Sequence, residues 1–465
     1  MQKKQKWRIK NGWSFLTIIV FVLSVNTVIN SHGIPIKPHS LCHYDQAGYY
    51  SYMPATFIYH DYSFSFYDSL GYNRQDFMKP HEGQLLNKYH VGPAILATPF
   101  YLIGHLEAGW TGEEQNGFST PYKHWVLLGC LFYVAFGMFL VRSMLLAHFS
   151  DVEVALTLLI IGLGANLLYY TTNEGMMSHG YSFFLFAATL FATRKFLKTE
   201  HPVWILLTGL LSGLIIVTRI PNILFLIVPV LWGVDSWDAL KERGQFLWQK
   251  KWWLLPAMLL AAIAFLPQML YWKTMFDTWF LHAYSGERFF FDQPLIGRIL
   301  FSYRKGWLVY SPLMALSLIG FIWLRKYARP AFWPILIFFS FNLYLISCWG
   351  AWWYGGGFSM RTLVESYAVL SFPLAACIKK VLEIGWSRYV FTALLPLFIY
   401  FNLVMTHQYS FGIIHHEAMT KKAFWAVFGY YHPAHGKVGG KRNRALDYPD
   451  PWKANEDRVY RGKLR

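Results

Sequence analysis

The chain runs to 465 residues, of which 55% are hydrophobic, 19% aromatic and only 14% charged. Soluble domains carry about 25% charged residues, so the composition excludes a soluble globular fold and makes a bundle of apolar helices the core of the molecule. The formal net charge of +17 does not point to nucleic acid, because Lys and Arg gather in short loops between apolar runs, the pattern of cytoplasmic loops in polytopic membrane proteins.

In chain order, residues 1–13 carry Lys3, Lys4, Lys6, Arg8 and Lys10 ahead of an apolar run over 14–29. No small-x-small cleavage site follows, so the run reads as an uncleaved first span with residues 1–13 in the cytoplasm. A polar and aromatic loop over 32–123 comes next and carries the segment His43-Tyr44-Asp45-Gln46-Ala47-Gly48-Tyr49-Tyr50. A helix is expected over 44–57, lying on the membrane with Tyr49, Tyr52 and Phe57 at the headgroup level as an aromatic belt.

Further apolar runs lie near 124–147, 153–172, 180–197, 202–217, 219–233, 252–272, 306–324, 331–347, 362–380 and 389–407. With the first run they predict an all-α polytopic membrane protein of about 11 transmembrane helices, with a long first outer loop carrying interfacial helices. The segment 91–106 is also apolar. If it crosses, the basic loops at Arg194/Lys195/Lys198, Arg325/Lys326/Arg329 and Lys379/Lys380/Arg388 all face away from the basic N-terminus. It is therefore expected to be a short, interfacial segment bent at Pro93 and Pro99.

The expected organisation has three parts: a cytoplasmic N-terminus (1–13), a transmembrane domain (14–407) and an outer-side basic tail (408–465). The tail is rich in Pro, Gly and Lys after Tyr431 and reads as weakly ordered, able to lie on anionic lipid. Cys130, Cys348 and Cys377 sit in or beside apolar runs and Cys42 stands alone in the outer loop, so neither a disulfide framework nor a zinc site is expected.

This topology gathers the unusual ionisable residues on the outer side, where such groups line water-filled cavities. Asp45 reads either as a helix cap or as a general base at the mouth of the bundle. Lys88 reads as a snorkelling interfacial lysine or a phosphate ligand. Arg361 follows the turn Gly355-Gly356-Gly357, whose amides form a candidate anion nest, and it also opens the next helix. Arg304 and Lys305, at the start of another run, are either interfacial anchors or further phosphate ligands. Glu174, with His179 as a supporting group five residues on, is either a plain loop carboxylate or a group that orients an acceptor or holds a divalent metal.

Four segments together carry a family likeness: Asp45 at the head of the outer loop, Asn87-Lys88-Tyr89-His90-Val91-Gly92-Pro93, Met177-Ser178-His179-Gly180-Tyr181-Ser182-Phe183, and Trp353-Tyr354-Gly355-Gly356-Gly357-Phe358-Ser359-Met360-Arg361. In order and spacing, over about residues 10–407, they resemble the integral-membrane glycosyltransferases of the GT-C superfamily. The nearest branch in pattern is the protein O-mannosyltransferase and lipid A aminoarabinose-transferase type.

The resemblance implies transfer of a hexosyl or pentosyl group from a polyprenyl-phosphate donor to a glycan, lipid or protein acceptor at the outer face of the cell membrane. It assigns catalytic roles to Asp45 and Glu174, with Asp45 as the base, and the donor phosphate to Lys88 and Arg361, with Arg304 and Lys305 as further candidates. Gln46 departs from the paired acidic motif of the family, so no metal ligand is assigned and a divalent metal is left only as a possibility. Two other readings of a polytopic chain stay open: a transporter or lipid flippase without covalent chemistry, and a non-catalytic assembly subunit.

Overall fold

A computed structural model describes residues 12–31, 41, 43–284, 286–432 and 436–464. The basic residues 3–10, the first stretch of the outer loop and Cys42 lie outside the described residues. Within them the chain is mostly helical, with one small hairpin, Met78–His81 against Gln84–Asn87.

Five helices are long and apolar enough to cross a bilayer: Gly12–Ser31, Thr120–Leu145, Lys251–Phe276, Arg329–Cys348 and Ser387–Ser410. The protein is thus an all-α membrane protein. Helices also form at the other apolar runs. Ser178–Thr199 and Tyr367–Glu383 are buried along most of their length and around their whole circumference, which places them at the centre of the bundle.

Two expected spans are interrupted. The run 219–233 is a 3₁₀ segment, Ile220–Leu226, followed by a short helix, Ile227–Leu231. Those residues reach only about 20 Å, short of a ~30 Å bilayer core. The break falls at Arg219, whose backbone is extended (φ −163°, ψ 114°), with Pro221 discouraging helical geometry at Ile220 just before it. The run 306–324 likewise breaks at Ser311, between Trp307–Tyr310 and the turn Pro312–Met314 that leads into Ala315–Tyr327.

The reverse occurs at 91–106. Instead of a short bent segment, a 20-residue helix runs from Gly92 to Thr111 with Pro99 inside it. Hydroxyl donations from Thr98 to the Ala94 carbonyl (2.8 Å) and from Tyr133 to the Leu96 carbonyl (2.9 Å) support the backbone around the proline, the usual way a long apolar helix tolerates one. Elsewhere Gly209 and Gly213 lie against Lys251–Phe276 so closely that a Cβ would fall 2.1 and 2.3 Å from the carbonyls of Ala257 and Ala261. Small residues four apart allow such backbone contact between helices.

The aromatic-belt expectation for 44–57 is overturned. The segment is helical as Tyr44–Tyr50 and Tyr52–Pro54, then widens to a π-turn at Ala55–Tyr59. Tyr49 and Tyr52 are buried in protein rather than placed at a lipid interface, and only Phe57 is exposed. A phenol inside protein can fill space and still find a polar partner for its hydroxyl.

The C-terminal segment is also corrected. Residues 436–464 form the helices Gly436–Arg444, Pro451–Glu456 and Arg458–Lys463 and fold back onto the connections between the long helices. The Arg461 guanidinium is fully buried and donates to the carbonyls of Gln293 and Ser347 (both 2.6 Å), Trp349 and Gly350. Asn455 Oδ1 accepts from the Arg288 amide (3.1 Å). Backbone acceptors in those connections hold the segment in place.

Candidate active site

Asp45 lies in the first turn of Tyr44–Tyr50 but does not cap it, since His43 is the N-cap and offers no side-chain cap bond. Its two oxygens look away from the helix end. Oδ2 pairs with Arg361 Nη1 at 2.8 Å, and Oδ1 accepts the Tyr89 hydroxyl. Tyr89 reaches it because residue 48 is glycine: a Cβ there would sit 2.1 Å from Tyr89 Cδ2. The hairpin supplies the other half of the geometry, since Asn87 ends its second strand and Nδ2 of Asn87 donates to the Gly48 carbonyl (2.8 Å).

Gln46, where the family pattern has a second acid, joins two loops. Its Nε2 donates to the Asn173 carbonyl (3.3 Å) and its Oε1 accepts from the Met176 amide (3.2 Å). The residues on either side of Glu174 are thereby stitched to the residue next to Asp45. A carboxylate at 46 has no proton for Asn173, which accounts for the amide. Glu174 itself is fixed at one oxygen, with Oε1 accepting from the Tyr169 hydroxyl at 3.1 Å, while its buried Oε2 has no hydrogen-bond partner among the described residues.

The two carboxylates titrate in opposite directions. Burial opposes ionisation of Asp45, but Arg361, Lys88 and the Tyr89 hydroxyl together hold its pKa below the ordinary carboxylate value. Burial pushes Glu174 up to about 7, with Arg361 working against the rise and the Asp45 charge adding to it. Burial also lowers the Lys88 pKa, with Asp45 opposing. The Lys88 ammonium lies over the rings of Tyr89 (5.0 Å) and Tyr284 (5.9 Å). Among the described residues no carboxylate lies within ion-pair distance of it.

Asp45, Glu174, Lys88 and Arg361 are thus electrostatic neighbours. His179 makes a separate pair. It is buried, with Nδ1 3.0 Å from Glu365 Oε2, while Arg219 Nη1 meets Glu365 Oε1 at 2.7 Å. Glu365 is 2% exposed and stands four residues beyond Arg361. One carboxylate therefore locks the Arg361 turn to the helix that follows Glu174 and to the break at Arg219. Sequence reasoning missed Glu365 and the role of Arg219. The available signal was an ionisable residue inside an apolar run, which by default marks a buried pair or a functional site.

Two other expectations are corrected. Arg304 is turned to the C-terminal segment, where it pairs with Asp447 (2.9 Å) and donates to the carbonyls of Glu417 (2.6 Å) and Asp447 (2.9 Å). Lys305 is buried and donates to the carbonyls of Gly357 and His416, and burial drives its pKa down to about 7. Both cations are already engaged by backbone oxygens. One amide of the glycine turn is also engaged, since the Gly357 amide donates to the Tyr409 hydroxyl (2.6 Å).

Nor does the donor set fit a divalent metal. Asp45 is already neutralised by Arg361, Gln46 replaces the second acid, and the Arg361 guanidinium lies beside both remaining carboxylates. Among the described residues no group of three His, Cys, Asp or Glu side chains is placed to hold an ion. Beside this cluster of charges runs a mostly apolar groove of about 270 Å³, walled by Tyr52, Phe57, Tyr62, Ile95, Leu270 and Tyr271 among others. It is tied to the strand end that carries Lys88: the Tyr52 hydroxyl donates to the Tyr89 carbonyl (2.7 Å) and the Tyr271 hydroxyl accepts from the Asn87 amide (3.0 Å).

No family model matches the sequence, and no curated protein matches it in sequence. Solved structures do match in fold. The oligosaccharyltransferase of Archaeoglobus fulgidus in its apo form superposes with a TM-score of 0.50 at 11% identity, covering 98% of this chain and 61% of that one. At this identity the likeness is one of fold alone. The archaeal oligosaccharyltransferase from the same organism also matches in complex with an inhibitory peptide and a dolichol-phosphate (TM-score 0.49, 11% identity, 96% of this chain and 61% of that one). A third match is the form tethered to an acceptor peptide (TM-score 0.48, 12% identity, 95% and 60%). This chain spans about 61% of the length of the first oligosaccharyltransferase structure.

Proposed function

We propose that this chain is an integral-membrane glycosyltransferase that moves a hexosyl or pentosyl group from a polyprenyl-phosphate donor to an acceptor hydroxyl at the outer face of the cytoplasmic membrane. The observation that carries the reading is the clustering of two carboxylates, Asp45 and Glu174, with two cations, Lys88 and Arg361, as electrostatic neighbours. That set matches the reaction's demands. A phosphodiester donor becomes a phosphate monoester as the sugar leaves, so negative charge grows where cations must already stand. The acceptor hydroxyl must lose its proton to a carboxylate.

Lys88 is the cation best suited to the donor phosphate, because its ammonium faces aromatic rings rather than a carboxylate. Arg361 lies between the carboxylates and can stabilise the leaving group without moving far. The adjoining groove suits the isoprenoid chain, with Phe57 and Leu270 exposed towards lipid. Direct attack on the anomeric carbon opposite the departing phosphate inverts its configuration.

The GT-C fold shared with a protein named an oligosaccharyltransferase favours transfer over transport. The motifs around Lys88 and Arg361 favour the O-mannosyltransferase and aminoarabinose-transferase branch. Purified protein in nanodiscs, supplied with hexosyl and pentosyl undecaprenyl phosphates, is expected to release undecaprenyl phosphate and form a glycosylated product. Lys88→Ala should raise the donor KM. Lipid or solute movement across liposomes with no covalent product from any donor would instead support a flippase or transporter.

A further inference from the structure

The two carboxylates of the cluster are not equivalent in what they already hold. Asp45 has one oxygen on the Arg361 guanidinium and the other under the Tyr89 hydroxyl. Glu174 is fixed at Oε1 by Tyr169, while Oε2 is buried and unpartnered among the described residues. A buried acceptor atom with nothing to accept from is costly, so one in a native structure calls for an explanation, of which a catalytic role is one.

We propose that Glu174, through Oε2, takes the acceptor's hydroxyl proton, and that Asp45 is a positioning residue that holds Arg361 and the Tyr89 hydroxyl in place. The assignment rests on the glycosyl-transfer reading and says which group performs its proton transfer.

The step balances as follows. The acceptor oxygen forms its bond to the anomeric carbon, and the bond from that carbon to the phosphate oxygen breaks. The bonding pair leaves on the polyprenyl phosphate beside Lys88 and Arg361, and the hydroxyl proton passes to Glu174 Oε2. Glu174 returns it to water as the product departs.

Basicity supports this division. A carboxylate paired with a guanidinium is a weak proton acceptor, whereas an efficient base has its pKa near the working pH. Burial puts Glu174 at about 7. The groups that face it are Arg361, Asp45, Lys305 and the hydroxyls of Tyr169, Tyr170 and Tyr409. The Tyr169 hydroxyl keeps the carboxylate turned so that Oε2 is the free atom.

The test uses the full chain in nanodiscs with two readouts. In infrared difference spectra between pH 5.5 and 8.5, the wild type should show a carboxylic-acid band titrating near pH 7. That band should be absent in Glu174→Gln and kept in Asp45→Asn. With hexosyl and pentosyl undecaprenyl phosphates as donors and water or azide as probe acceptors, wild-type sugar release to water should rise through about pH 7. Glu174→Gln should lose about 10²–10⁴-fold with the donor KM unchanged and the acid limb gone. Azide carries no proton to remove, so it should restore transfer, as glycosyl azide, in Glu174→Ala. Asp45→Asn should keep the acid limb, raise the donor KM and gain nothing from azide.

Transfer to water that persists within a few-fold in Glu174→Gln, or azide rescue of Asp45→Asn in place of Glu174→Ala, overturns the assignment alone. A wild type that transfers no sugar to either probe overturns the glycosyl-transfer reading and the assignment with it.

Discussion

Replacing Gln46 by glutamate adds the second carboxylate of the paired acidic motif without changing size, and the structure fixes what that should cost. The side chain is 8% exposed, with one bond donated to the Asn173 carbonyl (3.3 Å) and one accepted from the Met176 amide (3.2 Å). A glutamate keeps the second and loses the first, leaving a buried carbonyl opposite a carboxylate. The lost bond is worth about 1 kcal/mol and the unmet carbonyl about 1–3 kcal/mol. Proximity to Asp45 and Glu174 adds like-charge repulsion, so the new acid should titrate above its unfolded pKa.

The sign follows. A carboxyl raised in the folded state carries no penalty below its unfolded pKa of about 4.3 and is destabilising once the pH passes its folded value. The protonated acid can also donate to Asn173. Gln46→Glu should therefore be about 2–3 kcal/mol less stable than wild type at pH 8 and recover most of this at pH 5. Gln46→Ala should lose a similar amount at both. Denaturant unfolding in detergent micelles, followed by tryptophan fluorescence at the two pH values, reads the difference. A Gln46→Glu protein as stable as wild type at pH 8, or one that gains activity only with added divalent metal, refutes the argument that the amide is there to join the loops.

Gly48→Ala should force the Tyr89 ring away and cost about 1–3 kcal/mol, and a double-mutant cycle with Tyr89→Ala should show strong non-additivity because the two share one contact. Arg361→Gln should lower transfer by about 10²–10³-fold and raise the Asp45 pKa, because burial then acts with less opposition, read by the infrared band. Arg461→Ala should leave the spanning bundle unfolding at its usual midpoint while residues 436–464 become rapidly cleaved by added protease, since the carbonyls of Gln293 and Ser347 lose their donor.

Much of the helical content was readable in the chain, because crossing a bilayer needs about 20 consecutive apolar residues and such a run declares itself through its own composition. The same rule misjudged 91–106 and 219–233. Whether a proline is absorbed, as at Pro99, or accompanies a break, as near Pro221, depends on what the neighbouring helices offer: Tyr133 in one case, Glu365 drawing Arg219 aside in the other. Asp45, Glu174, Lys88 and Arg361 could be chosen as residue types because ionisable groups among apolar ones are costly and hence conspicuous. Which cation meets which anion was not readable.

Asp45 and Arg361, Arg304 and Asp447, and Glu365 and His179 lie more than a hundred residues apart, and sequence spacing carries no record of a contact made only after the helices pack. By itself the sequence determined the class of molecule and the kinds of groups available to it, since both follow from local composition. Tertiary packing decided that Gln46 joins two loops, that Arg304 and Lys305 serve backbone oxygens, and that of two carboxylates one is occupied and the other open. Those outcomes depend on which partners arrive within hydrogen-bonding distance, and only the folded chain sets that.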